Sequence, residues 1–181
     1  GDGGKLYQTY TQEMADGMAR LCRKADIVVP NMTEACHLLG RPYNPGPYTR
    51  QEIREILESL CALGPKMAVL TGVWVKEGTL GTACYDSSIG EAHLYLTDRI
   101  EGFYHGTGDL FASALLGALL NGASLKDACE VATEYTWRTI ETTFEKSKDH
   151  RFGPKFECHL PWLASKMEEC RKSIANKTGN L

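Results

Sequence analysis

The residues with the clearest chemical potential stand together as His105-Gly106-Thr107-Gly108-Asp109, directly ahead of an apolar run over residues 110–120. That run has only Ser113 and Gly117 as soft interruptions. It predicts a helix that is apolar nearly all round, and so one buried in its domain with its N-terminus deep. The first amides of a helix have no intrahelical acceptor, and the macrodipole at that end favours an anion. Glycines let the backbone approach such an anion closely. Gly106, Thr107 and Gly108 therefore predict a phosphate or oxyanion site. Asp109 has two readings that spacing leaves open. It takes a proton from a hydroxyl that then attacks a phosphate, or it caps and charge-balances the helix start. His105 reads as a hydrogen-bonded neighbour in preference to a proton shuttle.

A second group follows the short apolar stretch 26–30. Asn31 and Glu34 have the spacing of a capping box. They also stand where a strand end delivers polar groups to a ligand in an open α/β sheet. Thr71 and Gly72 close the stretch 66–70 in the same way, at a carboxyl end where nucleotide contacts are expected.

The elements that must position these groups can be read from periodicity. Residues 11–22 form a helix with Met14, Met18, Leu21 and Cys22 on one face. Residues 26–30 are a short buried strand, followed at once by a helix to Gly40. Residues 41–48 hold three prolines and a glycine and form a loop. Thr49 and Glu52 open another helix with a capping box, its stripe being Ile53, Ile56, Leu57 and Leu60. Gly64-Pro65 ends it, and residues 66–72 are the next strand. Strand, helices and strand make a βαβ-like unit with parallel strands. Residues 81–85 and 92–96 read as a hairpin at an antiparallel edge. A long helix after Ser124 is expected to bury Leu125, Ala128, Val131, Ala132, Tyr135, Ile140 and Phe144. The polar stretch 146–153 reads as exposed, and a last helix covers residues 162–174.

A chain of 181 residues suits one domain with a real core. A net charge of −3 gives no attraction to nucleic acid or to a membrane surface. No apolar run approaches the roughly 20 residues of a membrane span. The seven cysteines are odd in number and form no C-x-x-C pair. They read as small core residues in a reducing, cytoplasmic setting. His37, His93, His150 and His159 form no ligand set that spacing supports.

Four segments carry a resemblance. They are Gly1-Asp2-Gly3-Gly4-Lys5-Leu6-Tyr7, Pro30-Asn31-Met32-Thr33-Glu34-Ala35, Gly106-Thr107-Gly108-Asp109 ahead of an apolar helix, and Phe156-Glu157-Cys158-His159-Leu160-Pro161. In this order they resemble the ribokinase-like small-molecule kinases, and the vitamin B6 (pyridoxal, pyridoxine, pyridoxamine) kinases in particular. The resemblance implies an α/β fold, a three-layer αβα sandwich with a mostly parallel sheet. It implies ATP-dependent phosphorylation of the 5′-hydroxymethyl group of a B6 vitamer. Asp109 is then the base and Gly106, Thr107 and Gly108 the anion hole. Asn31, Glu34, Thr71, Gly72 and Thr107 serve ATP, and Ile100, Glu101 and Gly102 line the nucleotide pocket. Asp2 and Glu34 stand on the Mg²⁺ side, and Tyr7, with Asp109, on the substrate side. The resemblance also brings a monovalent cation and a homodimer as expectations.

On this reading residues 1–181 are a single kinase domain without the family's N-terminal strands and part of its substrate pocket. Activity is expected of a protein that carries those strands. Hydroxymethylpyrimidine (phosphate) kinase is the nearest alternative, although those enzymes commonly carry Cys where this chain has Asp109. A non-catalytic nucleotide-binding domain is the other, and Asp109 weighs against it, because a carboxylate beside a phosphate only repels it.

Overall fold

The computed structural model describes residues 1–6, 8–146 and 153–178, with side chains described to residue 173. Tyr7, His150 and most of the polar stretch 146–153 lie outside the described residues. The chain forms two compact units, Gly1–Leu96 and Thr97–Leu181.

The first unit is built on a four-stranded sheet in the order β1-β2-β3-β4. These strands are β1 (Ile27–Val28), β2 (Met67–Val73), β3 (Thr79–Asp86) and β4 (Glu91–Asp98). β1 pairs parallel with β2, with Ile27 opposite Met67 and Val28 opposite Ala68. β2 pairs antiparallel with β3 through a register shift between Thr71 and Val73. The sheet is therefore mixed, with the expected parallel pair and the expected hairpin edge. Three helices belong to this unit: α1 (Gln12–Cys22), α2 (Met32–Leu39) and α3 (Arg50–Ala62).

Both sequence-predicted capping boxes are present. Asn31 and Thr49 each accept from the backbone N–H three residues on, and Glu34 and Glu52 reach back to the cap N–H. The stripe Ile53, Ile56, Leu57 and Leu60 is buried with Ala35, Ala68, Leu70 and Val73 in one core. This apolar seam joins α2 and α3 to the sheet.

The face of α1 departs from expectation. Met14, Met18 and Leu21 are 48%, 43% and 64% exposed, and only Cys22 is buried. The 3–4 spacing identified the apolar face correctly, but the packing of α1 on α2 leaves three of its four residues exposed. Met18, Leu21 and Cys22 border a cleft of about 430 Å³, also lined by Leu6, Tyr10, Ile27 and Leu38.

The second unit holds α4 (Thr107–Leu120), α5 (Leu125–Lys146) and α6 (Leu160–Thr178), the last preceded by a 3-10 turn, Phe156–His159. α4 is buried on one face only. Phe111, Ala114, Leu115 and Ala118 are inside, whereas Leu116 and Leu120 are 52% and 78% exposed. Its start is not deep either: Gly106, Gly108 and Asp109 are exposed and Thr107 is half-buried. A nearly all-apolar run carries too little periodicity to show which side its neighbours leave open.

α5 also differs from its predicted stripe. Leu125, Ala128, Ala132 and Tyr135 are buried, but Phe144 is 55% exposed and the helix's last turns bury Thr139, Thr142 and Thr143 instead. Burying these hydroxyls is tolerated because each has a partner. Thr139 and Thr143 donate to the carbonyls of Tyr135 and Thr139 at 2.8 and 2.6 Å, and Thr142 Oγ1 lies 2.8 Å from His159 Nε2. Tyr135 stacks on Trp162 with ring centres 6.4 Å apart, tying α5 to α6.

Candidate active site

In the first unit, the carboxyl ends of β1 and β2 gather five of the sequence-predicted residues. Asn31 forms a parallel bridge with Thr71. The Thr71 amide donates to the Pro30 carbonyl at 3.0 Å, extending the β1–β2 ladder to the start of α2. Gly72 follows in the left-handed region (φ +71°), with open space on its Cβ side.

The segment Gly1–Lys5 lies against this end. Asp2 and Lys5 exchange two backbone hydrogen bonds of 2.9 Å. The two residues between them, Gly3 and Gly4, have φ of 54° and 79°. Two central residues at positive φ demand the Gly-Gly pair found there. The Gly4 amide donates to Thr33 Oγ1 at 3.0 Å, and Asn31 Nδ2 donates to the Gly1 carbonyl at 2.9 Å. Glu34 uses one oxygen for the Asn31 amide (3.0 Å), and the other lies 3.3 Å from the Gly1 backbone nitrogen. The cap reading of Asn31 and Glu34 is therefore correct, and the cap faces the end of the sheet where a ligand is expected.

Among the described residues no three acidic, histidine or cysteine side chains form a metal cage. Mg²⁺ seldom needs one, since it binds through one or two carboxylates together with substrate phosphates. Asp2 is exposed and the Glu34 side chain is 42% exposed. Two accessible carboxylates on adjoining segments fit that mode.

In the second unit, Gly106 is the N-cap residue of α4 with φ 87° and ψ 0°, a backbone that favours glycine. No side chain caps this helix. The carboxylate of Asp109, in the third helical position, makes no hydrogen bond among the described residues, so it is not a capping residue in the bonded sense; only the Asp109 carbonyl is engaged, accepting from Ser113 Oγ at 2.7 Å. An added Cβ on Gly106 or Gly108 would meet nothing within 4 Å. The helix start thus combines glycine-flanked amides, open space and an uncommitted carboxylate. Thr107 Oγ1 donates to the Tyr104 carbonyl at 3.1 Å, and Tyr104 Oη donates to the Glu101 carbonyl at 2.9 Å. These two bonds fold the segment holding Ile100, Glu101 and Gly102 back onto the motif. The His105 ring packs edge-on against Phe103, centroids 4.7 Å apart, and makes no hydrogen bond among the described residues.

Three contributors were missed by sequence reasoning. Thr33 supports the Gly4 amide, Tyr43 packs on Gly4, and Trp74 Nε1 donates to the Pro45 carbonyl at 2.8 Å. All three act across long sequence separations; Thr33 stands in the quoted segment 30–35, but no local pattern marks its contact with Gly4 or the contacts of Tyr43 and Trp74.

The fold is that of the ribokinase-like small-molecule kinases, α/β in class. A protein of Bacteroides thetaiotaomicron assigned as a phosphomethylpyrimidine kinase, crystallised with pyridoxal, is similar over 91% of this chain and 58% of its own, with a TM-score of 0.85 and 33% identity. The phosphomethylpyrimidine kinase family profile matches residues 3–154, and the chain belongs to that family. Pyridoxine kinase of Bacillus subtilis is 28% identical over 141 residues, which is 77% of this chain and 49% of that enzyme. A thiamine biosynthetic bifunctional enzyme of rice is 30% identical over 125 residues, 69% of this chain and 22% of that protein. The chain thus spans half or less of the length of these two curated relatives.

Proposed function

We propose that the protein transfers the γ-phosphoryl group of ATP to the 5′-hydroxymethyl group of a B6 vitamer. The observation that carries this reading is the uncapped, glycine-flanked start of α4 with Asp109 beside it, its carboxylate bonded to no group among the described residues. A carboxylate that neither caps nor pairs, placed beside amides suited to phosphate, has the position a base needs.

In the proposed step the hydroxymethyl oxygen gives its proton to the Asp109 carboxylate. That oxygen forms a bond to the γ-phosphorus, while the bond between the γ-phosphorus and the β–γ bridging oxygen breaks and ADP leaves. The Gly106, Thr107 and Gly108 amides donate to phosphate oxygens and offset their charge. Thr71, Gly72 and Asn31 hold the nucleotide, and Ile100, Glu101 and Gly102 border its base. Asp2 and Glu34 would hold Mg²⁺, which spreads the charge of the phosphates when bound. The proposal takes both units as parts of one kinase domain, and a homodimer comes with it from the resemblance.

Hydroxymethylpyrimidine phosphorylation is the second reading, favoured by the family to which the chain belongs. Both substrates present a hydroxymethyl group on a nitrogen heterocycle, so the same base serves either. Initial rates with ATP-Mg²⁺ and, side by side, pyridoxal, pyridoxine, pyridoxamine and hydroxymethylpyrimidine separate them. A B6 vitamer is expected to show the highest kcat/KM. A clear preference for the pyrimidine replaces the B6 reading with the thiamine one.

A further inference from the structure

The loop between α2 and α3 has a task that its proline content does not suggest. A Cβ built on Gly4 would lie 2.7, 2.9 and 3.0 Å from Cδ1, Cγ and Cβ of Tyr43. The Gly4 backbone therefore rests directly on the Tyr43 side chain, with no room between them. The loop that carries Tyr43 is itself fixed to the exit of β2. Trp74 follows Val73, the last residue of that strand, and its indole donates to the Pro45 carbonyl at 2.8 Å. The Tyr48 amide donates to the Trp74 carbonyl at 2.9 Å, and Gly46 lies against the Trp74 indole. One chain of contacts thus runs from the strand end bearing Thr71 and Gly72, through Trp74 and the loop, to the turn that bears Asp2.

The turn needs such support. Its two central glycines have the most backbone freedom of any residue to lose. Thr33 holds one side of it by a 3.0 Å hydrogen bond to the Gly4 amide. Tyr43 supplies the apolar seat on the other side.

We infer that Tyr43 is a positioning residue for nucleotide binding: it seats the Gly3-Gly4 turn and thereby fixes the Asp2 carboxylate at the start of α2. This rests on the kinase reading above. Tyr43 is 36% exposed and stands outside the core, so its truncation is expected to leave the fold intact.

The test compares wild type with Tyr43→Ala and Tyr43→Phe. Three quantities are measured: hydrogen exchange at the Gly4 amide, affinity for ADP-Mg²⁺ by calorimetry, and KM against kcat for ATP-Mg²⁺. Tyr43→Ala is expected to speed Gly4 exchange and to weaken ADP-Mg²⁺ binding about tenfold, the low end for loss of support behind a metal-facing group. KM for ATP-Mg²⁺ rises in step while kcat stays near wild type. Tyr43→Phe keeps the ring and restores all three. If wild type binds ADP-Mg²⁺ and Tyr43→Ala binds it equally well, the inference is overturned and the kinase reading is untouched. Unchanged Gly4 exchange in Tyr43→Ala also overturns it. A wild-type protein that binds no ADP-Mg²⁺ overturns the kinase reading and this inference together.

Discussion

Glu34 holds a helix start, and in the proposed function the same side chain also faces the metal. One oxygen closes the capping box on Asn31, and the other lies near the Gly1 backbone nitrogen. Glu34→Gln keeps a residue that suits a capping box, so the midpoint of thermal unfolding is expected to stay near wild type. The Mg²⁺ concentration for half-maximal activity is expected to rise, because one carboxylate near the phosphates is gone. Unchanged Mg²⁺ dependence would reduce Glu34 to its cap. The cysteines differ in a way that alkylation can read. Burial pushes the Cys61 thiol up to about 11, with the Asp86 and Glu58 carboxylates adding to it. Burial also raises Cys36 and Cys22. Cys158 is exposed. Iodoacetamide at pH 8 is expected to modify Cys158 well before these three, because the thiolate is the reacting form and it must be reached. At this scale the capping box of Asn31 and Glu34 was legible from residue type and spacing. Thr33, Tyr43 and Trp74 were not, because their roles arise only when segments far apart in sequence meet.

Among the elements, α3 is the one most completely specified by local chemistry. Its cap, its stripe and its Gly64-Pro65 stop all agree with the observed Arg50–Ala62. Thr49→Ala removes the cap and is expected to cost about 1 kcal/mol of stability, the usual worth of such a cap. Chemical denaturation reads this directly. The Glu52 carboxyl is held below its ordinary range by the Thr49 backbone N–H and then by the Thr49 hydroxyl. A lowered folded-state pKa means that this contribution is present above the unfolded-state value and is lost as the pH falls through the folded-state one. Wild type is therefore expected to lose stability through the acid side of the carboxylate range more steeply than Glu52→Gln. Equal slopes would show that the pair does not act in solution. α1 and α4 were legible as helices but not in their packing. The pattern of α1 marks an apolar face without saying what meets it, and α4 is too uniformly apolar to mark a face at all. In α5 the buried threonines defeated a hydrophobicity count, since hydroxyls bonded to the helix's own carbonyls can be buried like apolar groups.

For the whole molecule, the class of fold was legible from the alternation of strands and helices, and the family from four short segments. No helix among the described residues is long and apolar enough to cross a membrane. In the proposed function the first unit would supply the strand ends and the carboxylates of the nucleotide side, and the second the glycine-flanked helix start and the base. Asp109→Asn separates binding from chemistry in this scheme. The amides of Gly106, Thr107 and Gly108 still donate to phosphate, so ADP-Mg²⁺ affinity is expected to be retained or slightly improved by the loss of a nearby negative charge. Turnover of the B6 vitamer is expected to fall by about 10²–10⁴-fold, the worth of a positioned base, and the loss to appear in kcat because the missing interaction belongs to the transition state. The decisive measurement is therefore kcat of Asp109→Asn, taken on folded protein with ADP-Mg²⁺ affinity determined alongside. A large fall in kcat with affinity kept is the predicted result, and turnover within a factor of a few of wild type would contradict it.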